Sequence, residues 1–197
     1  MIKLGIIGDI GAGKTFISKN FGYPTFNADL EVKKIYKSSK SCFKKLKKKF
    51  PNKINKYPID KNEIGKLILI NKKNIKILGG IVHPFVSKNL LRFLKKNKNK
   101  KAVVLDIPLL LENNIQDKRT LLIFIDAKEK EIMKRLKKRA GFNLQLYKSM
   151  KKNQIPLLKK RKKCNIVIKN NFKKGFILKQ IKKIKERLKN DRSSSGH

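Results

Sequence analysis

The chain has 197 residues, 40% of them hydrophobic, enough for one compact α/β domain carrying an insertion. Its 53 Lys and Arg against 13 Asp and Glu leave a formal net charge of +40, which excludes an acidic calcium or metal buffer. The excess does not by itself establish nucleic-acid binding: only seven of the 53 are Arg, the residue suited to planar recognition of phosphates and bases, and Lys rises throughout together with Asn and Ile.

The first run, Ile2 to Ile7, is almost continuously apolar, which predicts a parallel strand buried on both faces. It breaks at glycine too early for a signal peptide or a membrane span, and no membrane association is expected. A helix follows over Lys14 to Phe21, then a weaker strand over Thr25 to Asn27. From about Ser38 to Lys100 no comparable strand occurs. Lys-rich amphipathic turns such as CFKKLKKKF, interrupted by Pro51, Pro58 and the Gly79-Gly80 pair, predict a mostly helical insertion with a helix from Pro84 to Leu94. Further strands are expected at Ala102 to Ile107, Leu121 to Ile125 and Ile166 to Ile168, and helices at Glu129 to Arg139, Asn143 to Lys152 and Phe176 to Leu188. Strands alternating with helices imply a doubly wound α/β fold. Cys42 and Cys164 lie far apart without CxxC or paired His spacing, so neither a disulfide framework nor a zinc site is indicated, and a reducing cytoplasmic setting fits. The end of the chain, 193–197, reads as a disordered tail.

The segment GDIGAGKT matches G-x-x-x-x-G-K-[ST] at every fixed position, with a strand before it and a helix after it. Glycine lets the backbone bend until successive N–H groups converge on phosphate oxygens, and the helix N-terminus adds partial positive charge. The nucleotide cradle therefore runs through Gly8, Asp9, Ile10, Gly11, Ala12 and Gly13 into Lys14, Thr15 and Phe16. Lys14 is placed to reach the outer phosphates of ATP, and Thr15 to hold Mg²⁺ through its hydroxyl.

A phosphate cradle does not identify the acceptor, which other residues must define. Asp29, just past the second strand, is read either as the base that takes the proton of an attacking hydroxyl or as the N-cap of the helix LEVKKIYK. Placing the second strand beside the first puts Asp29 at the carboxyl edge of the sheet. Asp106, ending AVVLD, is a ligand for Mg²⁺ or its water shell, or a strand-end turn residue. Glu112 caps or pairs with a lysine, or belongs to the site. Arg135 and Arg139, four apart, are expected on one helix face as a polyphosphate clamp. His83 reads as structural. The residues alone assign no role to Gln154, Pro156 or Lys160.

Taken together, GIIGDIGAGKT, the NAD tripeptide ending at Asp29, IVHPFV, VLDIPLLLE, RLKKRAGFN and the series NQIPLLKK then NIVIKNN resemble the dephospho-coenzyme A kinase family from Ile2 to about Leu188. The resemblance implies a P-loop NTPase fold of the nucleoside-monophosphate-kinase type: a five-stranded parallel sheet flanked by helices, a helical substrate-binding insertion at about 37–100 and a lid at about 135–163, all within one domain over 1–192. It implies ATP and Mg²⁺ as cofactors and dephospho-CoA as acceptor, with any nucleic-acid contact non-specific. It further implies that Asp29 is the catalytic aspartate, that Arg135 and Arg139 are lid arginines near the phosphates, and that Asn170 lies near adenine. Three segments depart from the family pattern: Asn27 stands for the first Asp of Asp-Ala-Asp, Cys164-Asn165 for Ala-Asp, and Gly79 for a Glu. The other readings of a P-loop in this setting are a kinase for another small acceptor, or a nucleic-acid-binding ATPase.

Overall fold

A computed structural model describes residues 1–190, and the tail expected over 193–197 lies outside the described residues. The elements in chain order are β1 (Ile2–Gly8), α1 (Lys14–Asn20), β2 (Thr25–Asn27), α2 (Ala28–Ser38), α3 (Lys40–Lys49), α4 (Lys61–Ile70), α5 (Asn74–Lys96), β3 (Ala102–Asp106), β4 (Thr120–Asp126), α6 (Glu129–Lys137), α7 (Leu144–Lys152), α8 (Leu157–Lys162), β5 (Ile166–Lys169) and α9 (Lys174–Asn190). They divide into a sheet unit, residues 1–26, 99–142 and 154 onward, and a helical unit, residues 27–98 and 143–153.

The sheet unit is built on five parallel strands in the order β2-β3-β1-β4-β5. Parallel strands covered on both faces need unbroken apolar sequence, and β3 is buried at all five positions while β1 is buried from Leu4 to Gly8. Because β3 lies between β2 and β1, the expected neighbourhood of the first two strands is corrected. The order departs to opposite sides of β1, so the carboxyl end of β1 is the switch point at which open α/β sheets bind ligands. At the far edge β5 is only partly covered, and the Gln180 amide closes its free side: Lys169 N donates to Gln180 Oε1 at 3.0 Å and Gln180 Nε2 donates to Lys169 O at 2.8 Å.

In the helical unit α2, α3 and α4 pack on α5, and α7 packs on α4. Ile35, Cys42, Leu46, Ile54, Leu67 and Val82 form the core of this unit. α5 is a single helix of 23 residues that runs through Gly79, Gly80 and Pro84, where the sequence pattern predicts a start at Pro84. Each glycine costs the helix about 1 kcal/mol and the proline about 3. Burying Leu78, Val82 and Leu90, at about 1.5–3 kcal/mol each, offsets that cost. α6 stops at Lys137, two residues short of Arg139, whose N–H donates to Leu136 O in a tightened last turn ahead of Gly141 at φ +73°. Arg135 and Arg139 therefore do not share the helix that their spacing suggested.

Candidate active site

The phosphate cradle sits at the carboxyl end of β1. Ala12 N–H donates to Asp9 O at 3.2 Å, closing the bend, and Gly13 enters α1 in the left-handed region at φ +86°. A Cβ on Gly13 would lie 2.7 Å from Asn170 Nδ2, so both its backbone and its surroundings require glycine. Lys14 folds back over the bend, its Nζ donating to Asp9 O at 2.7 Å and Gly8 O at 3.2 Å. The loop is rigid beneath it: Asp9 is buried and its Oδ1 accepts from Ile10 N, while Ser18 Oγ donates to Lys14 O at 2.9 Å.

One strand over, Asp106 ends β3 and is buried. Thr15 Oγ1 donates to Asp106 Oδ2 at 2.7 Å, joining the two residues proposed from sequence as metal ligands although they are 91 positions apart. The hydroxyl lies on the first turn of α1 and the carboxylate at the end of the neighbouring strand, so both come from rigid elements.

Asn170 follows β5 and is buried. Its Nδ2 donates to Ala12 O at 2.8 Å and its Oδ1 accepts from Phe172 N at 2.7 Å, so both ends of the amide are engaged in fixing the cradle to the β5–α9 loop. That turn holds Phe172 at φ +60°, where the Arg135 guanidinium lies 4.6 Å from the ring centroid. Sequence reasoning missed Phe172; the NNF run, an Asx turn followed by an aromatic ring, is the local signal that could have found it. Arg139 is exposed, in the turn that follows α6.

Asp29 belongs to the helical unit, where it is exposed in the first turn of α2. The capping role falls instead on Asn27, whose Oδ1 accepts from Leu30 N at 2.8 Å. α2 is further tied to α5 by Asn89 Nδ2 donating to Glu31 Oε2 at 3.1 Å. The remaining departures from the family pattern are also accommodated locally. Asn165 makes paired bonds to the β4 backbone, accepting from Leu122 N and donating to Leu122 O, both at 2.9 Å. Gly79 leaves room for the His83 ring, whose Cε1 would be 3.3 Å from a Cβ there, and partial burial lowers the His83 pKa below its ordinary value.

A glycine bend ahead of a helix at the switch point of a parallel sheet, with a lysine over it and a Thr–Asp pair beside it, defines a P-loop nucleotide-binding enzyme. The family model described as dephospho-CoA kinase matches residues 2–174. A dephospho-CoA kinase of Wolbachia sp. subsp. Brugia malayi is 33% identical over 94% of this chain and 97% of its own length, and one of Fusobacterium nucleatum is 29% identical over the same shares. Among solved structures, the dephospho-CoA kinase of Campylobacter jejuni aligns with a TM-score of 0.65 at 25% identity, covering 96% of this chain and 98% of its own. TT1252 of Thermus thermophilus aligns at 0.77 and 25%, covering 95% and 97%. The shikimate kinase of Bacteroides thetaiotaomicron, at 14% identity and 0.53, shares the fold over 95% of this chain and 98% of its own. The chain belongs to the dephospho-CoA kinase family, and it is an ATP-dependent phosphotransferase. No helix among the described residues is long and apolar enough to cross a membrane.

Proposed function

We propose that this chain transfers the γ-phosphate of ATP to the ribose 3′-hydroxyl of dephospho-CoA, completing coenzyme A synthesis in the cytoplasm. The observation that carries the reading is the Thr15–Asp106 pair beside the Lys14-covered cradle, in a chain that matches this family over nearly its whole length.

Backbone N–H groups from Gly11 to Thr15 grip the β- and γ-phosphates, and Phe16 N–H extends the cradle along the first turn of α1. Lys14 exchanges its two carbonyl partners for phosphate oxygens. The donor set beside it suits Mg²⁺: one hydroxyl and one carboxylate are hard oxygen donors, and this ion prefers few protein ligands with phosphate and water completing its shell. Thr15 and Asp106 would hold the ion, which supplies charge neutralisation at the β- and γ-phosphate oxygens. Asp29, exposed on the first turn of α2, accepts the proton of the acceptor hydroxyl, since Asn27 has no carboxylate to do so. Arg135, in the last turn of α6, and Arg139, just past its end, supply positive charge to the phosphates from a lid over about 135–163. Asn170 acts on the nucleotide through the cradle that it braces.

A coupled assay for ADP release tests the reading. Turnover is expected with dephospho-CoA and not with nucleoside monophosphates; a protein that binds ATP but ignores dephospho-CoA would refute it. Asp29→Asn is expected to lower kcat by about 10²-fold with ATP affinity retained, and an unchanged kcat removes Asp29 as the base.

A further inference from the structure

Lys160 is 1% exposed, which lysine tolerates only when its charge is compensated. Its Nζ lies 2.8 Å from Glu112 Oε1 and donates at 2.8 Å to Gln154 Oε1. Ile155 N–H donates to the same Glu112 oxygen at 3.0 Å from 43 residues away, whereas Glu112 Oε2 is buried without a hydrogen-bond partner. An incompletely satisfied buried ion pair is a poor device for stability, because packed apolar side chains of similar volume commonly do as well or better. Its value must lie in what it holds in place.

Both anchored segments flank the phosphate cradle within the sheet unit. Glu112 lies in the turn over 108–114, which starts two residues beyond Asp106, the partner of Thr15. Lys160 lies in α8, which packs against β1, the strand that delivers the cradle. Leu157 and Arg161 of α8 share an open cleft with Asp9 of the cradle, and Arg161 reaches Asp126 at 3.8 Å. The cradle itself is braced separately, through Asn170 and the Gly13 turn.

We propose that the Glu112–Lys160 pair, with Gln154, is a positioning device that sets the turn after β3 and helix α8 on either side of the phosphate loop, so that loosening it costs turnover and not nucleotide affinity. This rests on the kinase reading above. Both segments adjoin the cradle at the carboxyl ends of β1 and β3, and small displacements of a phosphate-gripping loop are costly in rate.

The test compares Lys160→Met, Lys160→Arg and the double variant Glu112→Leu/Lys160→Met in the coupled assay and in thermal melts. Lys160→Met is expected to lose about tenfold or more in kcat with the ATP KM within about threefold of the original. Lys160→Arg keeps the charge and is expected to retain most of kcat. The double variant leaves no unpaired buried charge, so its Tm is expected to recover while kcat stays low; it also carries the test if Lys160→Met does not fold. Recovery of kcat together with Tm, or turnover by Lys160→Met equal to the original, would overturn the proposal. Slow ATP hydrolysis without acceptor gives the same comparison independently of dephospho-CoA, so a wrong acceptor and a wrong role for the pair are told apart.

Discussion

Gly13 is the residue on which the nucleotide site is most narrowly constrained. Its φ of +86° is strained for any side chain, and a methyl group there would meet Asn170 Nδ2 at 2.7 Å and break the bond that ties Asn170 to Ala12. Gly13→Ala is expected to cost about 1–3 kcal/mol in a urea melt. It should also weaken ATP binding by about tenfold or more in a direct titration, because the N–H groups no longer converge. Retained affinity would show that the bend is not the cradle. A second residue-scale expectation concerns Cys42, fully buried beside Tyr36. Burial raises its thiol from 9.0 to about 11, against a smaller lowering by Lys45. The folded protein then holds a proton that the unfolded chain releases, so this contribution is present below pH 9.0 and lost as pH rises towards about 11. The stability difference between the original protein and Cys42→Ala should shrink across that window in denaturant melts at stepped pH; a constant difference would contradict it.

At the scale of elements, α2 shows how one substitution within the family pattern is absorbed. Asn27 caps the helix through Leu30 N–H, as the Asp of the family pattern would, and Asp29 sits two residues further on in the turn so fixed. Asn27→Ala should therefore cost about 1 kcal/mol and also lower kcat, whereas Asn27→Asp should preserve both; denaturant melts and the coupled assay read the two effects, and an Ala variant equal to the original would place the helix start under other control. The strands were legible because parallel pairing buries both faces and favours runs of Ile, Val and Leu, and the glycine bend ahead of α1 was legible because its residue pattern is local, although Asn170 and Asp106 meet it from far along the chain. What depends on distant partners was not. The position of β3 between β2 and β1 is set by pairing across the chain, as in Ile2 against Ala102. α5 passes through Gly79, Gly80 and Pro84 because its neighbours bury Leu78 and Val82, which no local pattern reports. Glu112 was open between capping, pairing with a lysine and a place in the site, and only the fold brings Lys160 to it as that lysine. The shared helix face expected of Arg135 and Arg139 failed for a local reason: α6 ends at Lys137, and Arg139 falls in the turn before Gly141.

For the whole molecule the charge balance sets a bound that no arrangement of side chains escapes. Even if all 13 carboxylate side chains paired, 53 − 13 = 40 cations would have no carboxylate partner. α3 shows the consequence locally, with Lys44, Lys45, Lys47, Lys48 and Lys49 exposed around a buried seam of Cys42 and Leu46. Charges closer than the Debye length, about 10 Å at 0.1 M salt, repel one another in the compact state more than in the expanded chain. The Tm is therefore expected to rise with sulfate, through screening and weak anion association spread over the surface. ATP should add a separate increment that grows with the logarithm of its concentration above Kd, because binding to the folded state alone stabilises by about 2.7 kcal/mol at a hundredfold excess and about 4.1 at a thousandfold. Gly13→Ala separates the two contributions: it should keep the sulfate response, which belongs to the surface, and lose most of the ATP increment, which belongs to one bend in the chain. Thermal melts in graded sulfate and graded ATP read both, and a Tm indifferent to sulfate would show that repulsion among the lysines does not limit the stability of the fold.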